Sequence, residues 1–220
     1  MKNSKYGKFL TVLLVIVIIG IVGLLGFLGY DVYKKYFVDK EARDFLEEFD
    51  NEVASGDGNS NPSEDANITN PLDGIEESPN ANGTKTFNYQ GFPVSGKIEI
   101  PKTNVKYPII SKLSPAAIEK AVAIQYGPGP NQVGNTVIVG HNYRNGSFFS
   151  NNKKLENGDI IYITDNAGVR LKYVIYNKYE TTPQDTDYMK RDTKGAKEIS
   201  LSTCTDDSKM RIIIWARAEE

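Results

Sequence analysis

Leu201-Ser202-Thr203-Cys204-Thr205-Asp206-Asp207-Ser208-Lys209-Met210-Arg211 is the stretch from which the rest of the sequence is best interpreted, and it holds the only cysteine of the chain. The alternating residues that end at Cys204 predict a strand, and the polar residues after it predict a turn. Arg211 then opens an apolar run, Ile212 to Trp215, that predicts a second, buried strand. A thiol and a guanidinium are therefore expected at the same end of one hairpin.

Charge is distributed unevenly along the chain. Residues 36–86 contain 13 Asp or Glu and 3 Lys or Arg, a net charge of −10, whereas residues 87–220 contain 14 and 18, a net charge of +4. The acidic part is poor in aromatic residues and rich in Asn, Ser and Gly, a composition that does not form a packed core. The small positive charge of the later part gives no support to nucleic-acid binding. One Cys and one His form neither an internal disulfide nor the usual zinc site, so neither a metal nor a cofactor is predicted.

An uncharged apolar segment runs from Phe9 to Tyr30. As a helix it spans roughly 30 Å, at about 1.5 Å per residue, which is enough to cross the hydrocarbon core of a membrane. Its length, and the lack of a small-residue cleavage site after it, favour an uncleaved anchor over a signal peptide. Basic residues lie on both sides of the segment, so the positive-inside rule does not decide its orientation.

The remaining elements follow from hydrophobic periodicity. Helical spacing predicts a stalk helix over 31–53, and the Gly, Pro, Asn and Ser content predicts a linker over 54–86. A short helix is predicted over 114–123, where Ser114 can cap and Pro115 fits the first turn. Strands are predicted at 96–101, 105–109, 135–140, 160–164, 171–176, 199–203 and 211–215. The connection 179–197 is too long for a plain hairpin loop, so it is either functional or contains a short helix. Short strands with few helices predict a mostly β barrel or sandwich.

His141, the only histidine, comes just after the predicted strand 135–140. Taken alone, it is explained by a surface histidine, and Cys204 by a small buried apolar residue. Together they form the minimal thiol nucleophile, in which a thiolate attacks and an imidazolium protonates the leaving amine, with a bell-shaped pH–rate profile. A nearby Arg211 would stabilise the oxyanion. The alternatives are that Arg211 pairs with an aspartate of the turn, Asp206 or Asp207, or that Arg217 takes its role.

The hairpin Leu201-Ser202-Thr203-Cys204 to Arg211-Ile212-Ile213-Ile214 resembles the signature of the sortase family. The run Gly134-Asn135-Thr136-Val137-Ile138-Val139-Gly140-His141 resembles the strand and histidine of the same family, and the resemblance covers residues 96–216. His141-Asn142-x-x-Asn145-Gly146-x-x-Phe149 is similar to class B, whereas Gly158-Asp159-x-Ile161 is common in other classes. Sortases are membrane-anchored cysteine transpeptidases of Gram-positive bacteria.

The resemblance implies an eight-stranded sortase-type β-barrel with short helices, preceded by a transmembrane helix and a linker. It implies a cytoplasmic tail (1–8), an anchor (9–30), a stalk and acidic linker (31–86) and an extracellular catalytic domain (87–220). The family cuts a C-terminal sorting signal of the Leu-Pro-x-Thr-Gly type on surface proteins and transfers the acyl group to an amine of the peptidoglycan precursor. The implied site residues are Cys204 as nucleophile, His141 as acid and base, Arg211 for the oxyanion, and Thr203, Asn142 and Tyr188 for substrate binding.

Two other functions fit the same residues. One is a cysteine peptidase that hydrolyses its acyl-enzyme instead of passing the acyl group to an amine. The other is a membrane-tethered binding module that has the barrel but no activity. Amine adducts separate the first from a transpeptidase, and the loss of function in Cys204→Ala or His141→Ala separates an enzyme from the second.

Overall fold

The structure, a computed structural model, describes residues 5–55 and 85–219 of the chain. It divides into two compact units, residues 1–41 and 42–220. The first unit is the N-terminal part of helix α1 (Lys5–Ser55). Within it, Gly7–Phe27 is long and apolar enough to cross a membrane by length and composition. The predicted acidic linker lies mostly outside the described residues.

The described part of the second unit contains the end of α1, a second helix α2 (Pro115–Ile118) and nine strands. The strands are β1 (Phe87–Tyr89), β2 (Phe92–Ile100), β3 (Val105–Ile110), β4 (Val122–Tyr126), β5 (Gly134–Val139), β6 (Ile160–Asp165), β7 (Arg170–Thr181), β8 (Lys197–Cys204) and β9 (Arg211–Ala218).

Eight of the strands close into a barrel, which confirms the fold that the family resemblance implies. They follow one another in the order β2-β3-β4-β5-β8-β9-β7-β6, and β6 pairs back onto β2, while the short β1 extends the sheet beside β2. The pairs β3–β4 and β5–β8 are parallel, and the other neighbours are antiparallel. Apolar side chains fill the interior because residues two apart in a strand share a face. Ile98, Ile138, Ile161, Leu201 and Ile213 are all fully buried.

The last turns of α1 pack onto β1 within the second unit. Phe49 is fully buried, and its ring centroid lies 4.5 Å from that of Phe87. Phe45 lies 5.1 Å from Tyr89 in the same way. The Asp50 carboxylate accepts a hydrogen bond from Lys97, a buried lysine of β2. This end of the helix therefore contributes to the apolar core of the unit.

Phe49→Ala is expected to destabilise the second unit by about 3–5 kcal/mol, because it removes a large buried ring and leaves a cavity. Unfolding of the full chain in detergent can be followed by the fluorescence of Trp215, the single tryptophan. The matched control is Phe37→Ala, which changes a 44% exposed phenylalanine of the same helix and is expected to alter stability by less than about 0.5 kcal/mol. If Phe49→Ala lowered the stability as little as the control does, the end of the helix would add nothing to the stability of the unit.

One segment differs from its sequence-based prediction. The helix expected over 114–123 is a single turn, α2, in which Ser114 Oγ accepts a hydrogen bond from Ala117 N. Residues 122–126 form β4, whose Val122 and Ala123 lie opposite Ile109 and Ile110 of β3. Pairing with strands on both sides outweighs the helical spacing, because it buries an apolar run that a surface helix would leave half exposed.

Candidate active site

Strand register brings the predicted site residues to one edge of the barrel. Strands β5 and β8 are parallel, and Val139 lies opposite Ser202. Gly140 N donates to the Ser202 carbonyl at 3.2 Å, so the chain that leaves β5 still runs beside β8 where it reaches His141. The antiparallel pair β8–β9 then places Cys204 directly opposite Arg211. Because neighbouring strands lie about 4.8 Å apart, three adjacent strand ends hold the imidazole, the sulfur and the guanidinium.

The Cys204 sulfur accepts a hydrogen bond from Arg211. Nη1 of the guanidinium lies 2.8 Å from Sγ. Neither aspartate of the turn takes this arginine: Asp206 accepts from Lys153 and Asn142, and Asp207 accepts from Thr205. The structure therefore brings Arg211, and not a turn ion pair, to the thiol.

Arg217, the alternative to Arg211, lies near the opposite end of β9. Its Nη2 is 2.7 Å from Oε1 of Glu198, a buried carboxylate near the start of β8. The register pairs Arg217 with Glu198 and Arg211 with Cys204. Arg217 is thus six positions along the hairpin from the thiol and does not reach it.

His141 lies against a carboxylate that the sequence gives no reason to select. Its Nε2 is 3.1 Å from Oε1 of Glu119, the residue after α2. Tyr143 donates a hydrogen bond to the other oxygen of the same carboxylate, and its ring centroid lies 4.9 Å from that of the imidazole. Burial, followed by the hydrogen bond to Glu119, raises the pKa of Tyr143. The phenol therefore stays protonated and remains a donor.

The segment after His141 is attached to the turn after Cys204. The Asn142 side-chain amide donates to the Cys204 carbonyl at 2.9 Å and to Asp206 Oδ1 at 3.0 Å. Arg144 Nη2 donates to Ser208 Oγ at 3.0 Å. The position before His141 also needs a glycine, because a Cβ at Gly140 would lie 2.8 Å from the ring of Phe149. These contacts fix the two loops that carry the imidazole and the thiol.

A cavity of about 240 Å³ opens beside the three groups. Its apolar lining includes Leu113, Ile118, Val139, Tyr188 and Met189. Its polar lining is formed by His141, Asp185, Thr186, Ser202, Thr203, Cys204 and Arg211, among others.

Of the predicted substrate-binding residues, Thr203 and Tyr188 line this cavity. Thr203 Oγ1 also donates to the Gly140 carbonyl at 2.7 Å. Asn142 lies outside the lining, and its side chain joins the two loops as described above. The groups on the adjacent strand ends therefore form the wall of one pocket, while Asn142 contacts the turn after Cys204.

A closed eight-stranded barrel with a cysteine, a histidine and an arginine at one rim defines the class of protein. Residues 98–219 match the family model of the sortase domain. The chain therefore belongs to the sortase family, whose members are cysteine transpeptidases. It is 30% identical over 128 residues to sortase A of Bacillus anthracis, a match that covers 54% of this chain and 58% of that protein. The chain thus spans less than two thirds of the length of this relative.

Solved structures of sortases share the fold. A sortase D5 transpeptidase of Clostridium perfringens superposes with a TM-score of 0.56 at 25% identity, over 83% of this chain and 98% of that one. Sortase A of Corynebacterium diphtheriae gives a TM-score of 0.53 at 28% identity, over 59% of this chain and 62% of that one. These structures carry class A and class D names, so the class B resemblance of the sequence around His141 stays a prediction.

Proposed function

We propose that the chain is a membrane-anchored transpeptidase that cuts a C-terminal sorting signal of the Leu-Pro-x-Thr-Gly type on surface proteins. It then transfers the acyl group to an amine of the cell-wall precursor. The observation that carries this proposal is the convergence of Cys204, His141 and Arg211 on one cavity at the ends of adjacent strands. The family membership of the chain supports the same reaction.

In the first half-reaction, the Cys204 sulfur attacks the carbonyl carbon of the scissile Thr–Gly bond as a thiolate. The carbonyl oxygen takes up negative charge, and the Arg211 guanidinium donates to it. The C–N bond then breaks, and protonated His141 gives its proton to the leaving amine. The products are a thioester on Cys204 and a free C-terminal fragment.

In the second half-reaction, the acceptor amine attacks the thioester carbonyl. Neutral His141 takes the proton that the amine loses, and Arg211 again stabilises the oxyanion. The C–S bond breaks, and the thiolate leaves with His141 protonated, so the site returns to its starting state. Transfer to an amine conserves the acyl bond energy that hydrolysis would lose.

The cavity lining matches the start of such a signal. Leu113, Ile118, Val139 and Met189 offer apolar contact to a leucine and a proline. A pocket with an apolar wall and a few polar groups beside the reacting atoms is typical of sites that bind small extended ligands. Thr203 and Tyr188 line the same cavity, which supports their proposed contact with the peptide.

The apolar part of α1, Gly7–Phe27, fits a single-pass membrane anchor. We place residues before it in the cytoplasm and the barrel outside the cell, where surface proteins with sorting signals and the cell-wall amine are found. The proposed partners are therefore these proteins, the peptidoglycan precursor and the membrane itself.

A library of sorting-signal peptides, incubated with the full chain in detergent and with triglycine or hydroxylamine, tests the proposal by mass spectrometry. A transpeptidase gives the amine adduct in preference to the free acid. Free acid alone, at every amine concentration, would instead establish a hydrolytic peptidase. If no peptide of the library were cleaved, the result would favour a binding module and overturn the proposal.

Glu119→Gln is expected to lower kcat about fivefold, because it removes a negative charge beside the imidazolium but keeps the side-chain shape. The loss corresponds to about 1 kcal/mol, the upper part of the range for an exposed ion pair. The matched control is Glu156→Gln, whose side chain is 77% exposed and pairs with Lys102. Peptide turnover of both variants checks the prediction, and equal rates for the two would remove Glu119 from the mechanism.

A further inference from the structure

The loop between β7 and β8, residues 182–196, forms a large part of the cavity wall. Pro183, Asp185, Thr186, Tyr188 and Met189 all line the cavity. The structure assigns no helix or strand to this loop. Its backbone hydrogen bonds are those of local turns, such as Met189 N to the Thr186 carbonyl, so side-chain contacts to the barrel contribute to its position.

Arg191 is a loop residue whose side chain packs into the barrel wall. Only 12% of it is exposed. Its Nη1 donates to Glu198 and, at 2.7 Å, to the hydroxyl of Tyr176. Its Nη2 donates to Asn135 Oδ1 at 2.9 Å, and its guanidinium carbon lies 4.3 Å from the ring centroid of Trp215. One side chain of the loop thus contacts β5, β7, β8 and β9.

Asn135 links Arg191 to the cavity wall by hydrogen bonds. While its oxygen accepts from Arg191, its Nδ2 donates to the backbone carbonyls of Tyr188 and Met189, both at 3.0 Å. Asn135 is itself buried. Arg191 therefore fixes, together with Ser200 Oγ, which donates to the same oxygen at 2.9 Å, the orientation of an amide that holds two cavity-lining residues by their backbone.

Glu198 provides the charge that keeps the buried guanidinium in place. Its side chain is 1% exposed and lies between Arg191 and Arg217. Burial acts to raise the pKa of Glu198, but hydrogen bonds from Tyr176, Arg217 and Arg191 outweigh it and hold the pKa below the ordinary value. The carboxylate is thus ionised, and removal of either arginine would leave it less well compensated.

The contact lies far from the reacting atoms. Glu198 comes six residues before Cys204 on β8, which corresponds to about 20 Å along a strand. Arg191 is also outside the cavity lining. Any influence of Arg191 on the reaction is therefore indirect, through the residues that it holds in place.

We propose that Arg191 is a positioning residue that holds loop 182–196 in the conformation that binds the peptide substrate. This inference rests on the proposed function. The guanidinium is suited to the task because its planar fork contacts Glu198 and Asn135 at once, which a lysine cannot do.

Arg191→Met keeps a long side chain against Trp215 but removes every donor. We expect KM for the peptide to rise about tenfold while kcat changes less than threefold. Alkylation of Cys204 by iodoacetamide, which needs no loop, should stay within twofold of the wild-type rate. Arg191→Lys should give a smaller rise in KM, of about threefold.

The matched control is Arg217→Met, which removes the other arginine from Glu198 but does not reach Asn135 or the loop. Its KM should stay within twofold of the wild type. An equal rise in KM for Arg217→Met would mean that the charge of Glu198, and not the loop, is responsible, and would overturn the proposal. An unchanged KM in Arg191→Met would do the same.

Hydrogen exchange separates this inference from the proposed function. In Arg191→Lys, the milder variant, the backbone amides of 182–196 should exchange at least fivefold faster, whereas those of β5 and β8 should not change. The measurement needs no turnover, so it decides the role of Arg191 even if the wild type cleaves no sorting-signal peptide. Unchanged exchange in the loop would overturn the inference.

Discussion

Replacement of Cys204 by alanine is expected to reduce peptide cleavage and amine transfer by a factor on the order of 10⁴ or more, because no other group can form the thioester. The sulfur is the only thiol of the chain, so no second cysteine can substitute for it. Cleavage of a fluorogenic sorting-signal peptide by the full chain checks the prediction. Iodoacetamide labelling, measured in parallel by mass spectrometry, should add one group to the wild type and none to the variant.

The fold must be intact for this result to bear on catalysis. Cys204 is only partly buried, and its replacement by alanine removes one sulfur atom at the barrel rim. Trp215 fluorescence should therefore give an unfolding midpoint close to that of the wild type. A folded variant that still transfers the peptide to triglycine would exclude Cys204 as the nucleophile and, with it, the proposed chemistry.

Arg211→Lys is expected to lower kcat by about 10²–10³-fold with a smaller change in KM, the usual loss when one oxyanion donor is removed. Lysine keeps the charge, but its ammonium is compact and strongly hydrated, and it lacks the planar edge with two donors that a guanidinium has. It cannot reproduce the contact of Nη1 with Sγ at 2.8 Å while it also addresses a substrate oxygen.

Arg217→Lys provides the comparison for this second prediction. It makes the same chemical change on the same strand, at a position that pairs with Glu198 and not with Cys204. Its kcat should stay within threefold of the wild type. If the two lysine variants lose activity equally, the effect arises from the stability of β9, and the oxyanion role of Arg211 is falsified.

The sequence is most informative for strands that are buried or end in an identifiable turn. Strands β5, β8 and β9 carry continuous apolar or alternating residues, and the structure has them within a few residues of the predicted limits. Strand β4 does not follow from the sequence, because Ile118 and Val122 lie one helical turn apart and predict a helix. Only the pairing of β4 with β3 and β5 shows that the segment is a strand. Strand β1 has three residues, too few for periodicity to identify.

The surface against which the last turns of α1 pack also cannot be predicted from the sequence. Phe45, Phe49 and Val53 predict an apolar helix face, but no local pattern states which surface covers it. The structure places β1 and its neighbours there. Long-range contacts of this kind depend on the whole fold, and the residues of one helix do not contain them.

The candidate site likewise contains residues that the sequence identifies and residues that only the fold brings together. A single cysteine and a single histidine, each at the end of a predicted strand, identify the candidate site, and Arg211 follows from the hairpin register. Glu119 and Arg191 have no such signal, since each is one of many charged residues in a polar context. Only the fold brings Glu119 to His141 and Arg191 to Asn135.

The hydrogen bond between Lys85 and the Glu52 carbonyl has a consequence for how the chain is connected. It joins the end of α1 to a residue just before β1, so the chain positions on either side of residues 56–84 lie close together. A peptide-bond break between residues 56 and 84 would leave α1 and the barrel as separate polypeptides that remain in contact through Phe49 and Phe87. Deletions or insertions there would change the closure entropy only slowly with length, which makes this segment the natural place to graft a tag without touching the enzyme.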